Sequence, residues 1–151
     1  MRVLSLYQPW AWFVVHGFKR WETRSWSAGT GFGPLLIHAG KTVCPVGREV
    51  YYSVRAEFGD AIFEPNHPPP FDELPRGCLV GVVDFVCSTD MVPVTTSLER
   101  MLGDFSEGRY FFGFRDPQFF SEPIPARGFQ RFWNYTGPLP AHLMKEKAYE
   151  R

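Results

Sequence analysis

Cysteine is scarce in this 151-residue chain: Cys44, Cys78 and Cys87 are odd in number and form no close pair, so no disulfide framework is expected. Three reduced thiols in a cytoplasm are the simplest expectation. Long apolar runs are missing too. The longest unbroken one, Trp10 to Val15, is far short of the roughly 18 residues a bilayer span requires. No cationic segment with an apolar stretch and a small-residue cleavage site opens the chain. A soluble, unsecreted protein with no membrane partner is therefore expected. Net charge is absent, because 16 basic and 16 acidic residues cancel. Broad electrostatic capture of a long polyanion normally needs an excess of Lys and Arg that this chain lacks, whereas a local cationic site does not. The histidines His16, His38, His67 and His142 are dispersed, and neither Cys-x-x-Cys nor His-x-x-x-His occurs. The expectation is no metal. No Gly-x-Gly-x-x-Gly or Gly-x-x-x-x-Gly-Lys phosphate loop is present, and no cofactor is expected.

What the chain does have is aromatic residues, 17% of the total, together with 14 Gly and 14 Pro. That mix suits short strands joined by tight turns, with rings for a core or for stacking on a ligand. Period-two alternation predicts a strand over Arg2 to Tyr7. Pro9 opens a short apolar helix over Trp10 to His16, and Gly17 is the left-handed residue after its end. A second strand runs from Lys19 to Trp26 and a buried third over Leu35 to Ala39. Pro45 and Gly59 bracket a helix from about Val46 to Phe58, and the Pro-rich residues 60–76 read as a loop over the surface. Leu79 to Val86 is the strongest strand, with Gly81 where another backbone approaches closely or the strand bends. A short helix over Ser97 to Leu102 follows. Arg109 to Arg115 and Gln118 to Ile124 read as two further strands, and Phe132 to Tyr135 closes the sheet. Leu139 to Arg151 has the pattern of an amphipathic helix. A single α+β domain over 1–151 is expected, with residues 138–151 as its C-terminal helix. A closed or nearly closed β-barrel plugged by small helices is favoured over a regular βαβ sheet.

The segment from Gln8 to Trp26 is chemically dense. Lys19, Arg20, Glu22 and Arg24 fall within six residues, beside Trp10, Trp12, Trp21 and Trp26. In strand geometry Glu22 and Arg24 share a face, and Lys19 at the helix-to-strand turn can swing toward them. A solvated, charge-paired strand explains this pattern. So does a site for a planar, hydrogen-bonding ligand, in which Glu accepts from amino groups, Arg and Lys hold phosphate or carbonyl oxygens, and an aromatic face stacks.

Leu4-Ser5-Leu6-Tyr7-Gln8-Pro9-Trp10-Ala11-Trp12, then Gly17-Phe18-Lys19-Arg20-Trp21-Glu22-Thr23-Arg24-Ser25-Trp26, then Gly33-Pro34-Leu35-Leu36-Ile37-His38-Ala39 resemble the ASCH domain. The hallmark of that family is Gly-x-Lys-x-x-Glu-x-Arg, and residues 17–24 match each fixed position. Leu74-Pro75-Arg76-Gly77, Gly103-Asp104-Phe105-Ser106-x-Gly108-Arg109-Tyr110 and the Pro125 to Trp133 segment extend the resemblance over roughly residues 3–135. It implies a PUA-like closed β-barrel of about six short strands with two to four small helices, and a cleft between barrel and helix lined by the motif. It implies a single-stranded RNA, nucleotide or nucleoside partner. Family members are proposed to bind RNA or nucleotides, some to cleave RNA, and one branch hydrolyses acylated cytidines; a ribonuclease activity of this chain is expected to need no metal. That branch uses Thr where this chain has Glu22. Thr23 is one residue off and points to the opposite face of a strand, so a hydroxyl-nucleophile mechanism does not transfer.

The resemblance marks Lys19 and Glu22 as acid/base candidates. Gln8, Trp10, Arg24 and Trp26 around the motif, and Ser106, Arg109 and Tyr110 on the segment that borders the cleft, are ligand contacts. His38 ends a buried apolar strand, where a satisfied histidine is the ordinary reading. The pattern His-Ala-Gly-Lys leaves a second one open: with Lys41 on the following loop, His38 becomes a general base beside cations, as cleavage through a 2′-hydroxyl requires. Cys78 and Cys87 read as small buried hydrophobes. A non-catalytic interaction module, with the charged motif as scaffold, is the third possibility.

Overall fold

The computed structural model describes residues 1–143. Six strands form one curled sheet: β1 (Arg2–Leu6), β2 (Trp21–Arg24), β3 (Gly33–Ala39), β4 (Cys78–Thr89), β5 (Tyr110–Pro125) and β6 (Phe132–Asn134), in the order β2-β5-β4-β3-β1-β6. β1 and β3 are parallel, Val3 opposite Leu36, and the other pairings are antiparallel. A parallel pair needs a long crossover. Here it carries helix α1 (Trp10–Val15) and strand β2. Helices α2 (Pro45–Phe58) and α3 (Ser97–Met101) lie on later connections. The α+β architecture of six strands with small helices is the expected one. β2 and β6 are the edges of the ladder, and side chains bridge the seam. The Trp26 ring meets Phe112 at 5.3 Å and Phe132 at 5.4 Å, and the Arg24 guanidinium donates to the Ser5 carbonyl at 3.1 Å.

The first helix is apolar on every side, as a plug must be. Ala11 through Val15 are all buried. A Cβ on Gly81 would stand 2.7 Å from Val15 Cγ1 and closer still to the Gln118 carbonyl, so glycine lets α1 lie directly on β4. One core fills the space between α1 and the sheet, with Leu4, Ile37, Val83 and Phe112 at its centre. A second, mostly aromatic core joins α1 to α2 through Phe13, Tyr51, Phe63 and Phe71.

Two expectations are corrected. The segment 60–76 does not merely cross the surface: short 3-10 turns at Asp60–Phe63 and Phe71–Glu73 drive Phe63, Phe71 and Leu74 into that second core. Hydrophobic burial overrides the Pro-rich local signal. The two strands expected over 109–124 are one, β5, kinked at Asp116, which has φ +49°. β2 pairs only with Gly113 through Tyr110, so Pro117 and Pro123 fall where that side of β5 has no strand partner and a missing N–H costs nothing. The expected C-terminal helix lies mostly outside the described residues. Residues 141–143 are helical, and Leu143 packs on the outer face of the sheet beside Val3 and Phe120. The three cysteines are free thiols. No described helix is long and apolar enough to cross a membrane.

Candidate functional site

A cleft runs along the seam where β1, β2 and β3 end. It has two lobes that share Leu6, Tyr7, Arg24 and Trp26 as a partition. The smaller lobe, about 550 Å³, lies between β2 and the helices, with Trp10, Val50 and Met101 on one wall and Glu22, Arg24, Asp104 and Arg109 on the other. The larger, about 830 Å³, is walled by Ser5, His38, Lys41 and the 126–131 segment that joins β5 to β6.

Period two places Glu22 and Arg24 on one face of β2, opposite Phe112 and Tyr110. Glu22 is 9% exposed. Its Oε1 accepts from the Thr23 N–H at 3.2 Å and stands 3.7 Å from Arg24 Nε, while its Oε2 is buried without a hydrogen-bond partner. Thr23, on the opposite face, is committed elsewhere: its hydroxyl accepts from the Asp104 N–H at 3.1 Å, and its carbonyl accepts from Arg109 Nη2 at 3.2 Å. Asp104 in turn accepts from the Ser106 N–H and hydroxyl, and these bonds, helped by Arg109, hold its carboxyl below the usual carboxylate range.

Lys19 does not stand at the mouth. It is 2% exposed, and its ammonium donates to the Trp21 carbonyl. Burial pushes its pKa down, opposed by Glu22 and then Glu99. A Cβ on Gly103, which lines the smaller lobe, would stand 3.2 Å from Lys19 Nζ, so the ammonium lies just beneath the cleft floor. Glu99 was not singled out in the sequence. Its Oε1 accepts from the Arg20 and Trp21 N–H groups at 2.7 and 3.1 Å, and its Oε2 from the Thr95 hydroxyl. The Thr96-x-x-Glu99 pattern looks like a capping box. Thr96 does cap α3, but the carboxylate is turned to the start of β2 instead.

His38 is buried in the wall of the larger lobe. Its Nε2 lies 2.7 Å from the Ala126 carbonyl, which can only accept, so Nε2 carries the proton and Nδ1 accepts from the Ser5 hydroxyl at 3.3 Å. Trp133 Nε1 donates to the same hydroxyl at 2.9 Å. Burial lowers the His38 pKa, opposed by the bond to Ala126. The free lone pair of a general base is thus occupied by Ser5, and His38 and Lys19 do not share a lobe wall.

Of the residues expected to touch a ligand, Trp10, Glu22, Arg24, Trp26 and Arg109 line the smaller lobe, and Lys41 the larger. Gln8 lines neither lobe. Its amide is spent, accepting from the Trp12 N–H at 2.9 Å and donating to the Pro75 carbonyl at 2.8 Å. Ser106 serves Asp104, and Tyr110 packs against the central core. Tyr7, Asp104 and Arg131 line the cleft without having been singled out for it. No group of three or more His, Cys, Asp or Glu poised for a metal occurs among the described residues.

The ASCH domain family matches residues 4–111. Activating signal cointegrator 1 of Mus musculus is 29% identical over 139 residues, which is 90% of this chain and 22% of that protein. The Homo sapiens protein of the same name is 28% identical over the same share. The chain therefore spans about a fifth of the length of these curated relatives. A crystal structure of a mutant ASCH protein from Zymomonas mobilis has a TM-score of 0.49 and 13% identity, with 98% of this chain and 96% of that one covered.

Proposed function

This chain belongs to the ASCH domain family, and we propose that its cleft binds single-stranded RNA or a nucleotide. One observation carries the proposal: Glu22 holds a buried, unpartnered carboxylate oxygen in a lobe walled by Trp10 and Trp26 and by the guanidinium groups of Arg24 and Arg109. A buried acceptor without a donor is costly in a folded protein. The amino or imino edge of a base supplies that donor, the rings supply stacking, and the guanidinium groups supply donors for carbonyl or phosphate oxygens.

Cleavage of RNA without a metal is the catalytic extension of this reading, with Lys19, Glu22 and His38 as candidate acid/base groups. It requires Ser5 to release His38 Nδ1, and it places Lys19 as a charge beneath the floor that acts through Glu22. The competing activity, amide hydrolysis of an acylated nucleoside, finds the neighbouring Thr23 hydroxyl already bonded to the Asp104 N–H.

Calorimetric titration with ribonucleosides, their monophosphates, N4-acetylcytidine and short single-stranded RNAs tests the proposal on wild type and Glu22→Gln. At least one nucleotide or RNA should bind wild type, and Glu22→Gln should weaken it by about 30-fold or more, the loss of about 2 kcal/mol or more expected for a desolvated charged partner. Binding by no member of the panel, or an unchanged affinity in Glu22→Gln, overturns the proposal. Acetate released from N4-acetylcytidine moves the assignment to the hydrolase.

A further inference from the structure

We infer that the larger lobe is a subsite for a terminal phosphate, so that the ligand is a nucleotide or an RNA end bearing a phosphomonoester. This deepens the nucleotide-binding reading of the same cleft and rests on it. The two lobes divide by charge. The smaller mixes Glu22 and Asp104 with Arg24 and Arg109, donors and acceptors together, as the edge of a base requires. The larger carries Arg24, Lys41, Arg127 and Arg131, and among the described residues no Asp or Glu lines it. In a chain whose charges sum to zero, four cations facing one cavity with no acid is a segregation that composition does not produce by itself.

Three of these cations are available, Arg24 being paired with Glu22. Among the described residues, Lys41, Arg127 and Arg131 form no ion pair. Arg127 lies over Phe129 at 5.5 Å and Arg131 over Trp26 at 5.1 Å. Such contacts place a guanidinium without giving its N–H groups to an acid. Trp26 is also on the partition, so Arg131 is held where the two lobes meet. Its backbone has φ +60°, an uncommon conformation for a residue other than glycine.

The wall behind them is firm. His38 bonds the Ala126 carbonyl, and a Cβ on Gly128 would stand 2.6 Å from His38 Nδ1, so the backbone that carries Arg127 and Arg131 is packed directly on the buried imidazole. A phosphomonoester brings nearly two negative charges and three terminal oxygens at neutral pH, against one charge for an internal diester. Three unpaired cations beside Arg24 on one lobe suit the former.

The test is titration of the full chain with inorganic phosphate, the four ribonucleosides, and their 5′- and 3′-monophosphates. A triple variant Lys41→Gln, Arg127→Gln, Arg131→Asn is run beside wild type, Asn being chosen because it tolerates the left-handed backbone at 131. Arg48→Gln on α2, outside both lobes, is the control for loss of surface charge. At least one monophosphate should bind wild type about tenfold or more tighter than its own nucleoside, and the triple variant should bring the two within about twofold. Equal affinity of nucleoside and monophosphate for wild type overturns the phosphate subsite and leaves the nucleotide reading standing. A preference that persists in the triple variant, or one that Arg48→Gln also removes, overturns it as well. If no probe binds wild type, the subsite is overturned, and the reading of the cleft then stands or falls on the short single-stranded RNAs.

Discussion

Glu22 and Arg24 stand two residues apart on one face of β2 with charged atoms 3.7 Å apart, and neither completes the other: Glu22 Oε2 and Arg24 Nε are both buried without a hydrogen-bond partner. Glu22 lines the smaller lobe and Arg24 the partition beside it, and on the proposed reading a bound ligand completes both. The opposite arrangement lies a short distance below. Lys19 and Glu99 are buried and have hydrogen-bond partners within the protein.

That contrast predicts a split between stability and binding within one motif. Lys19→Met should lower the melting temperature by on the order of 10 °C, because removing the buried ammonium leaves the Glu22 and Glu99 carboxylates uncompensated at a cost of about 3–5 kcal/mol. Glu22→Gln should stay within about 1 kcal/mol of wild type, since losing a buried charge with an unbonded oxygen offsets the lost attraction to Lys19. Scanning calorimetry of both variants decides this, and a Lys19→Met melt within 2 °C of wild type, on the order of 1 kcal/mol or less, would contradict it.

Acid should weaken the fold through His16. Its ring lies 4.1 Å from Trp12 and 4.4 Å from Phe119, and burial lowers its pKa from 6.5 to about 4. Between those values the unfolded chain holds the proton and the folded chain does not, so stability is complete above 6.5 and falls as pH drops toward 4. The contribution between pH 7 and pH 5 is up to about 2 kcal/mol, less with solvent screening at the half-buried ring. His16→Phe should flatten that part of the urea-unfolding profile. A residual slope is expected from His38, whose shift has the same direction.

Gly103→Ala tests the floor. Its Cβ would meet Lys19 Nζ, Phe105 Cε2 and Thr23 Cγ2, each at 3.2 Å. Crowding of that kind costs about 1–3 kcal/mol, which equilibrium unfolding should register. A variant as stable as wild type would mean that Lys19, Phe105 and Thr23 give way around the added methyl.

Salt dependence tests how many phosphates a nucleotide or RNA ligand would engage on the proposed reading. A ligand meeting the protein through one or two phosphates should lose less than about tenfold in affinity between 50 and 200 mM salt, whereas six or more contacts would cost more than a hundredfold. A steep slope would require an RNA track running beyond the two lobes.

What the sequence determined by itself was local. The Pro9 and Gly17 bracket around α1, the strands around Leu35 and Val80, and the shared face of Glu22 and Arg24 all follow from backbone preferences and periodicity acting over a few residues. The Gly-x-Lys-x-x-Glu-x-Arg resemblance adds the family for the same reason, since its fixed positions lie within residues 17–24. Tertiary structure alone decided which of those charges meet solvent. Lys19 and Glu22 read as equals in the sequence, yet Gly103 and Glu99, some 80 positions away, cover one and leave an oxygen of the other unpartnered. Of the larger lobe beyond the partition, only His38 and Lys41 were legible, for a related reason. Ser5, His38, Trp133 and the Arg127 to Arg131 segment converge only because β1 pairs with both β3 and β6, and no local pattern records which strands a curled sheet will bring side by side.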